Sequence, residues 1–299
     1  MEKKVLVTGA TGFIGKYAIR KLLDSGYEVV AIVRKKSTDL GGDVSIIEAS
    51  ISDEKMMQNV VTRVRQCDIV IHMAANLDMK GHDETISVNC IGTYHLIRLA
   101  ELLLAEKFIY ISSIPVIGAP RVLPITEEHP VEPKTLYHIS KYMGEQMVQA
   151  LCPSAMQKII LRIPSPIGVG MNEKNYLSFL LKRCRKNELI EVYGQGMRRQ
   201  NYIDVRDIAS AILHAVQGRE QGLFLIGGKQ DITNRELAFL CKEVTESQSE
   251  IIWGRREDPE EENQWIISIQ KAQSQLNFVP EYDIKDTLYW ICDTMGKSE

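Results

Sequence analysis

Thr8-Gly9-Ala10-Thr11-Gly12-Phe13-Ile14-Gly15 decides how this chain is read. The octet closes the apolar run that starts at Lys4. It leads into Ile14, Ala18, Ile19, Leu22 and Leu23, which recur at helical spacing until Asp24-Ser25-Gly26 supplies a glycine stop. Strand, glycine turn and helix thus follow one another without a gap. Gly9 permits the tight turn, Gly12 lets backbone amides approach a pyrophosphate, and Gly15 allows the helix to pack closely. The start of the helix adds unpaired N–H groups and the positive end of its dipole. The octet therefore predicts a phosphate-binding βα turn, with a glycine-rich turn that holds no ligand as the alternative.

The same alternation continues outward from the octet. Strands are expected at 4–8, 29–33, 44–48, 69–73, 108–112 and 159–163, and the long helices at about 84–106 and 135–151. Ser52 or Asp53 caps a further helix with Met56, Met57, Val60, Val61 and Val64 on one side. The strands are apolar without alternation, as parallel strands covered on both faces are. The fold class this implies is α/β, a doubly wound parallel Rossmann-type sheet. Beyond Pro164 the pattern loosens, although Tyr202-Ile203 and 223–226 read as further strands. Residues 1–164 with about 200–227 are assigned to a dinucleotide-binding domain. Residues of about 165–199 and 228–299 are assigned to a smaller, interleaved substrate-binding region.

Composition removes other classes of function. The 299 residues are 44% hydrophobic and 25% charged, and 36 Lys plus Arg against 39 Asp plus Glu give a net charge of −3, so nothing favours nucleic acid or an anionic membrane. No apolar run approaches a bilayer span. The six cysteines form no C-x-x-C pair and the six histidines no i, i+4 pair, which predicts free thiols in the cytoplasm and no metal site. A small-molecule substrate is the expected partner.

Two further places carry chemistry. At the end of the second strand, where an NAD site normally has a carboxylate for the ribose, the run is Val33-Arg34-Lys35. Arg34 with Lys35 can clamp a 2′-phosphate, so NADP is expected, with NAD as the alternative and exposed loop cations as the ordinary reading. Tyr137 and Lys141 are four apart in an expected helix and share a face. An ammonium beside a phenol stabilises the phenolate, which brings a group with an ordinary pKa near 10 closer to use as a base. Ser112-Ser113 closes the fifth strand at the sheet edge where open α/β folds bind ligands, and a hydroxyl there can orient a substrate oxygen.

On these residues the chain resembles the extended short-chain dehydrogenase/reductase family of NAD(P)-dependent epimerases, dehydratases and reductases, over nearly its whole length. Its phosphate turn matches 8–15, its fourth strand Ile71-His72-Met73-Ala74-Ala75, and its supporting asparagine Asn89. Leu161-Arg162-Ile163-Pro164 is similar to the strand leading under the nicotinamide. The resemblance implies Ser113, Tyr137 and Lys141 as the catalytic set. Gly9, Thr11, Gly12, Phe13, Ile14, Gly15, Arg34, Ile51, Met73, Ala74, Ala75, Asn89, Tyr137, Lys141 and Pro164 would hold the cofactor, and Ser113, Ser165 and Arg199 the substrate. It also implies hydride transfer at a hydroxyl/ketone centre of a sugar nucleotide, by an epimerase or reductase, in a homodimer that packs its two long helices against a second copy. A carbonyl reductase acting on other substrates and a non-catalytic NAD(P) sensor are the alternatives. Departures from the sugar-nucleotide pattern are Ser50 for an adenine-contacting Asp, Val33 for the NAD acid, Ser165 for an Asn, and Gln200 for a diphosphate-binding Arg, which Arg198 or Arg199 can replace. Ile114-Pro115 follows Ser113 where 4,6-dehydratases carry acids, so dehydration is not the leading reaction.

Overall fold

The computed structural model describes residues 3–35, 40–41, 43–77 and 81–296. Strands β1 (Lys4–Thr8), β2 (Glu28–Val33), β3 (Val44–Glu48), β4 (Ile69–His72), β5 (Lys107–Ser113), β6 (Gln157–Ile163) and, much later, β10 (Gly222–Leu225) form one sheet in the order β10-β6-β5-β4-β1-β2-β3. Every pairing in it is parallel. Strand order reverses between β1 and β4, the place at the carboxyl ends of the strands where open α/β sheets bind ligands.

Helices cover both faces of this sheet, which is why its strands are apolar on both sides. α1 (Phe13–Asp24) and α7 (Val205–Gln217) bury Ala18, Ile19, Ile208 and Ile212 against Val5, Val7 and Ile109. α2 (Glu54–Val64), α4 (Gly92–Leu102) and α5 (Leu136–Leu151) bury Met57, Val60, Leu96 and Val148 against Leu6, Val70 and Phe108 on the other face. Asp53 is the N-cap of α2, its side chain accepting from Met56 N–H.

One expected element divides. The helix anticipated at 84–106 is a short α3 (His82–Thr85), a π-helical turn over Ile86–Ile91, and α4, which ends at Leu102. Leu104 sits at φ 57°, a conformation that no helix continues through. The extra residue of a π turn leaves the apolar spacing nearly intact, so sequence periodicity does not reveal it.

The remaining elements are β7 (Ser165–Ile167), α6 (Tyr176–Arg185), β8 (Ile190–Val192), β9 (Arg199–Asp204), β11 (Asp231–Thr233), α8 (Asn234–Val244), β12 (Ile251–Trp253), α9 (Gln270–Leu276) and α10 (Ile284–Gly296). Tyr202 and Ile203 lie in a strand as anticipated, but β9 belongs to a separate three-stranded sheet, β11-β9-β7, while β10 joins the main one.

Two polar anchors fix these parts together. Lys107 on β5 is buried and donates to the carbonyls of Ala215, Val216 and Gly218 at 2.7–2.8 Å, closing the C-terminal end of α7 with a cation. Arg206 on α7 is bidentate to the buried Asp204 (2.9 and 2.7 Å) and lies 3.6 and 3.9 Å from the ring centres of Tyr282 and Trp290. Thr287 on α10 donates to the same carboxylate at 2.7 Å.

Candidate active site

The glycine octet forms the turn that its sequence demands. Gly9 has φ +76°, and a Cβ there would stand 2.6 Å from the Ala74 nitrogen and the Met73 carbonyl carbon. One at Gly15 would stand 2.1 Å from the Gly9 oxygen. The turn is therefore packed backbone to backbone against the end of β4. Gly12 is the N-cap of α1, with no side-chain cap and no acid in the first turn. Thr11 and Gly12 are exposed, while Phe13 and Ile14 are half-buried in the first turn. The donors at this end remain available to an anion, and the cradle fits the diphosphate of a dinucleotide.

A buried hydrogen-bond chain ties this turn to α5. Thr93 Oγ1 donates to the Asn89 carbonyl (2.6 Å), so its oxygen receives the Nε2–H of His72 (2.9 Å), leaving His72 Nδ1 to accept from Thr8 Oγ1 (2.7 Å). Ala74 N–H donates to Thr8 Oγ1 at 3.3 Å. Burial, with Lys141 nearby, pushes His72 down to about 3, so the ring is neutral as this chain requires. Asn89, on the π turn, bonds the Asn76 backbone (2.7 and 3.0 Å) and donates to Ser140 Oγ (2.9 Å), which donates in turn to the Tyr137 carbonyl (2.7 Å). Met73 and Ala75, which follow β4, are half-buried.

Tyr137 and Lys141 occupy successive turns of α5, with Thr135 as N-cap. Lys141 is buried, and its Nζ stands 4.0 Å from the centre of the Tyr110 ring. Burial moves the two groups in opposite directions: the Tyr137 phenol is pushed up to about 12, and the Lys141 ammonium down to about 7 against the pull of Glu145 and Cys90. The sequence expectation was a phenol lowered by its lysine. In this structure desolvation of the phenol is the stronger effect. Ser113 ends β5, half-buried.

Sequence reasoning did not single out the support beneath these groups. Glu145, one further turn along α5, accepts from Arg162 Nε (2.9 Å) and Nη2 (2.7 Å) and from Ser112 Oγ. The Glu145 and Arg162 side chains are each 3% exposed. The signal was present in part, since Tyr137, Lys141 and Glu145 continue one i, i+4 row.

The other anticipated residues have these surroundings. Arg34 is exposed and pairs with Glu84 of α3 at 3.0 Å. Ile51 is buried against Gly92, and its carbonyl is bonded by His95 Nδ1 at 2.9 Å. Arg199 is held by Asp231 at 2.8 Å. A cleft of about 550 Å³ lies beyond the end of β5 and beside the start of α5. Ile114 and Pro115, which follow Ser113, line it with His138, which follows Tyr137, and with Pro164, Ser165, Arg198, Gln200 and Trp265. Of the two arginines anticipated here, Arg198 lines the cleft and Arg199 does not.

A phosphate cradle at the switch point of a parallel sheet, a Tyr-x-x-x-Lys helix and a strand-end serine define a short-chain dehydrogenase/reductase of the extended type. The chain belongs to the NAD dependent epimerase/dehydratase family, which its residues 5–227 match. The UDP-glucose 4-epimerase of Halalkalibacterium halodurans is 26% identical over 314 residues, covering 95% of this chain and 92% of that one. Among solved structures, UDP-glucose 4-epimerase of Thermotoga maritima with UDP-glucose is similar at a TM-score of 0.90 and 24% identity, covering 99% of each chain. The Thermus thermophilus UDP-glucose 4-epimerase complex with NAD is similar at 0.84 and 21%, covering 99% of this chain and 100% of that one. No helix among the described residues is long and apolar enough to cross a membrane.

Proposed function

We propose that this protein is a nucleotide-sugar epimerase that uses a nicotinamide dinucleotide and leaves it unchanged overall. The observation that carries the reading is the cleft of about 550 Å³ lined by the sequence neighbours of Ser113 and Tyr137, in a chain whose glycine turn is packed on the end of β4 in the same sheet. Gly9, Gly12 and Gly15 would hold the diphosphate, Lys141 the ribose, and Pro164 the nicotinamide side. The cofactor, when bound, would supply a hydride acceptor for the sugar carbon and then a hydride donor to the opposite face of that carbon. Tyr137 Oη takes the hydroxyl proton as the C–H bond breaks and gives it back when the hydride returns, while Ser113 Oγ holds the same oxygen. Lys141, which burial draws down to about 7, stabilises the phenolate when it is in its ammonium form, against the burial that raises the phenol. Residues 165–199 and 228–299 serve as the substrate-binding region. A cytoplasmic location accords with six unbridged cysteines, five of them buried.

The cofactor is read as NAD. The NADP expectation rested on Arg34, whose guanidinium Glu84 engages at 3.0 Å, placing a carboxylate beside the end of β2. Titration of the purified protein should give tighter binding of NAD than NADP. Arg34→Ala should leave NAD affinity within about threefold, since an exposed pair is worth about 0–1 kcal/mol. A preference for NADP that Arg34→Ala abolishes would restore the 2′-phosphate clamp. Incubation with UDP-sugars should then give C4-epimerised product without net NADH formation, and steady accumulation of NADH would identify a dehydrogenase instead.

The two long helices carry the assembly reading. Ile139, Met143 and Leu151 on α5 and Tyr94 and Leu102 on α4 are exposed, an apolar face that a second copy of this chain would cover. Light scattering should return twice the mass of the chain, and a monomer at micromolar concentration would remove the proposal.

A further inference from the structure

Side chains alternate along β5, so Phe108, Tyr110 and Ser112 all point to the side of the sheet that α4 and α5 cover. Tyr110 is fully buried there, and α5 comes down on it at Gly144, where a Cβ would stand 2.1 Å from Tyr110 Oη and 2.5 Å from its Cζ. A residue with any side chain would hold the helix off the ring. With glycine in place, Tyr110 Oη donates to the Lys141 carbonyl at 3.4 Å, and the face of the ring lies under the Lys141 side chain, Nζ 4.0 Å from its centre.

A buried ammonium is costly unless something offsets its charge. The groups that face Lys141 are Tyr137 and Glu145, one turn to either side on α5, Cys90 of the π turn, His72 of β4 and Tyr110 of β5. Burial keeps the Cys90 thiol and the His72 ring neutral. Glu145 is the one carboxylate among the five, and Arg162 of β6 engages it at 2.9 and 2.7 Å while Ser112 donates to it as well. Lys141 therefore shares its counter-charge with a guanidinium. The negative face of the Tyr110 ring is the attraction it does not share.

We infer that Tyr110 is a positioning residue, whose ring holds the Lys141 side chain charged and fixed on the face of α5 that carries Tyr137, with Gly144 as the gap that admits the ring. The hold on the ammonium stands on the packing of β5 against α5. Its use in turnover rests on the epimerase reading above.

The test follows the carbon NMR signal of Lys141 Cε in the NAD-loaded protein as pH is raised, with Lys141→Met to identify the signal. Removing the ring face disfavours the ammonium, so the titration midpoint moves down. Tyr110→Leu should lower it by about 0.5–1 pH unit and should lower kcat at neutral pH by about 3–10-fold. Tyr110→Phe, which keeps the ring, should hold the midpoint within about 0.3 unit. A trifluorinated phenylalanine at the same position keeps the shape but drains the ring face, and should reproduce the fall. It also decides the matter if Tyr110→Leu does not fold. A midpoint unmoved by either replacement would overturn the inference, since a ring that only fills space alters stability without altering the titration. A midpoint that falls in a protein that epimerises no UDP-sugar would uphold the role of Tyr110 and count against the epimerase reading instead.

Discussion

Tyr137→Phe is expected to lower kcat for epimerisation by roughly 10²–10⁴-fold, the range for losing a positioned acid–base group. In this reading the phenol takes and returns the proton, and phenylalanine keeps its packing against His138, whose ring centre lies 5.3 Å away. NAD affinity should stay within about threefold, because in this reading the diphosphate is held by backbone at the Gly9–Gly15 turn rather than by the phenol. The split between an almost lost kcat and a retained cofactor affinity separates chemistry from binding. A Tyr137→Phe protein with full turnover would remove the assigned mechanism. Full cofactor binding with no hydride exchange in the unaltered protein would instead point to a sensor.

Glu145→Ala should lower the free energy of unfolding by about 3–5 kcal/mol, because it leaves the Arg162 guanidinium buried without its counter-charge. Arg162 Nη1 already lacks a partner, so no spare acceptor stands ready. Replacing both Glu145 and Arg162 by methionine should cost less than Glu145→Ala alone, since the double change removes the stranded charge as well as its partner. Urea unfolding followed by circular dichroism gives both values. A Glu145→Ala protein within about 1 kcal/mol of the original would show that the charge finds other solvation and that the pair is no anchor.

These two predictions differ in how far the sequence could have led to them. Tyr137 and Lys141 are near neighbours on one helix, so spacing alone puts them on a common face, and the glycine octet is legible because each glycine answers a steric demand made within a few residues. The parallel sheet was legible for a similar reason, through unalternating apolar runs. Arg162 meets Glu145 and Ser112 only through the register of β5 on β6, where Ser112 and Arg162 are direct partners. Nothing local in the sequence encodes that register. The π turn that aims Asn89 at Ser140 preserves the apolar rhythm of a plain helix, and so it stayed hidden. Trp265 lies in an irregular stretch, and it lines the cleft only because the surrounding chain closes on it. The departure at Arg34 has a related cause, since its partner Glu84 is fifty positions away and arrives through tertiary packing.

The clamp of Arg206 between Tyr282 and Trp290 bears on how such a protein can change its taste. Both rings belong to the last stretch of chain, while Arg206 and its carboxylate Asp204 follow directly from the strand that lines the cleft. The segment from 228 to 281, which supplies Trp265, is thereby tethered at its far end to the same helix that braces the sheet. A loop held at both ends can exchange its middle residues while its anchor points stay in register. Evolution or design could therefore reshape the cleft around Trp265 by local substitution, with the strands and α5 beside it carried over unchanged.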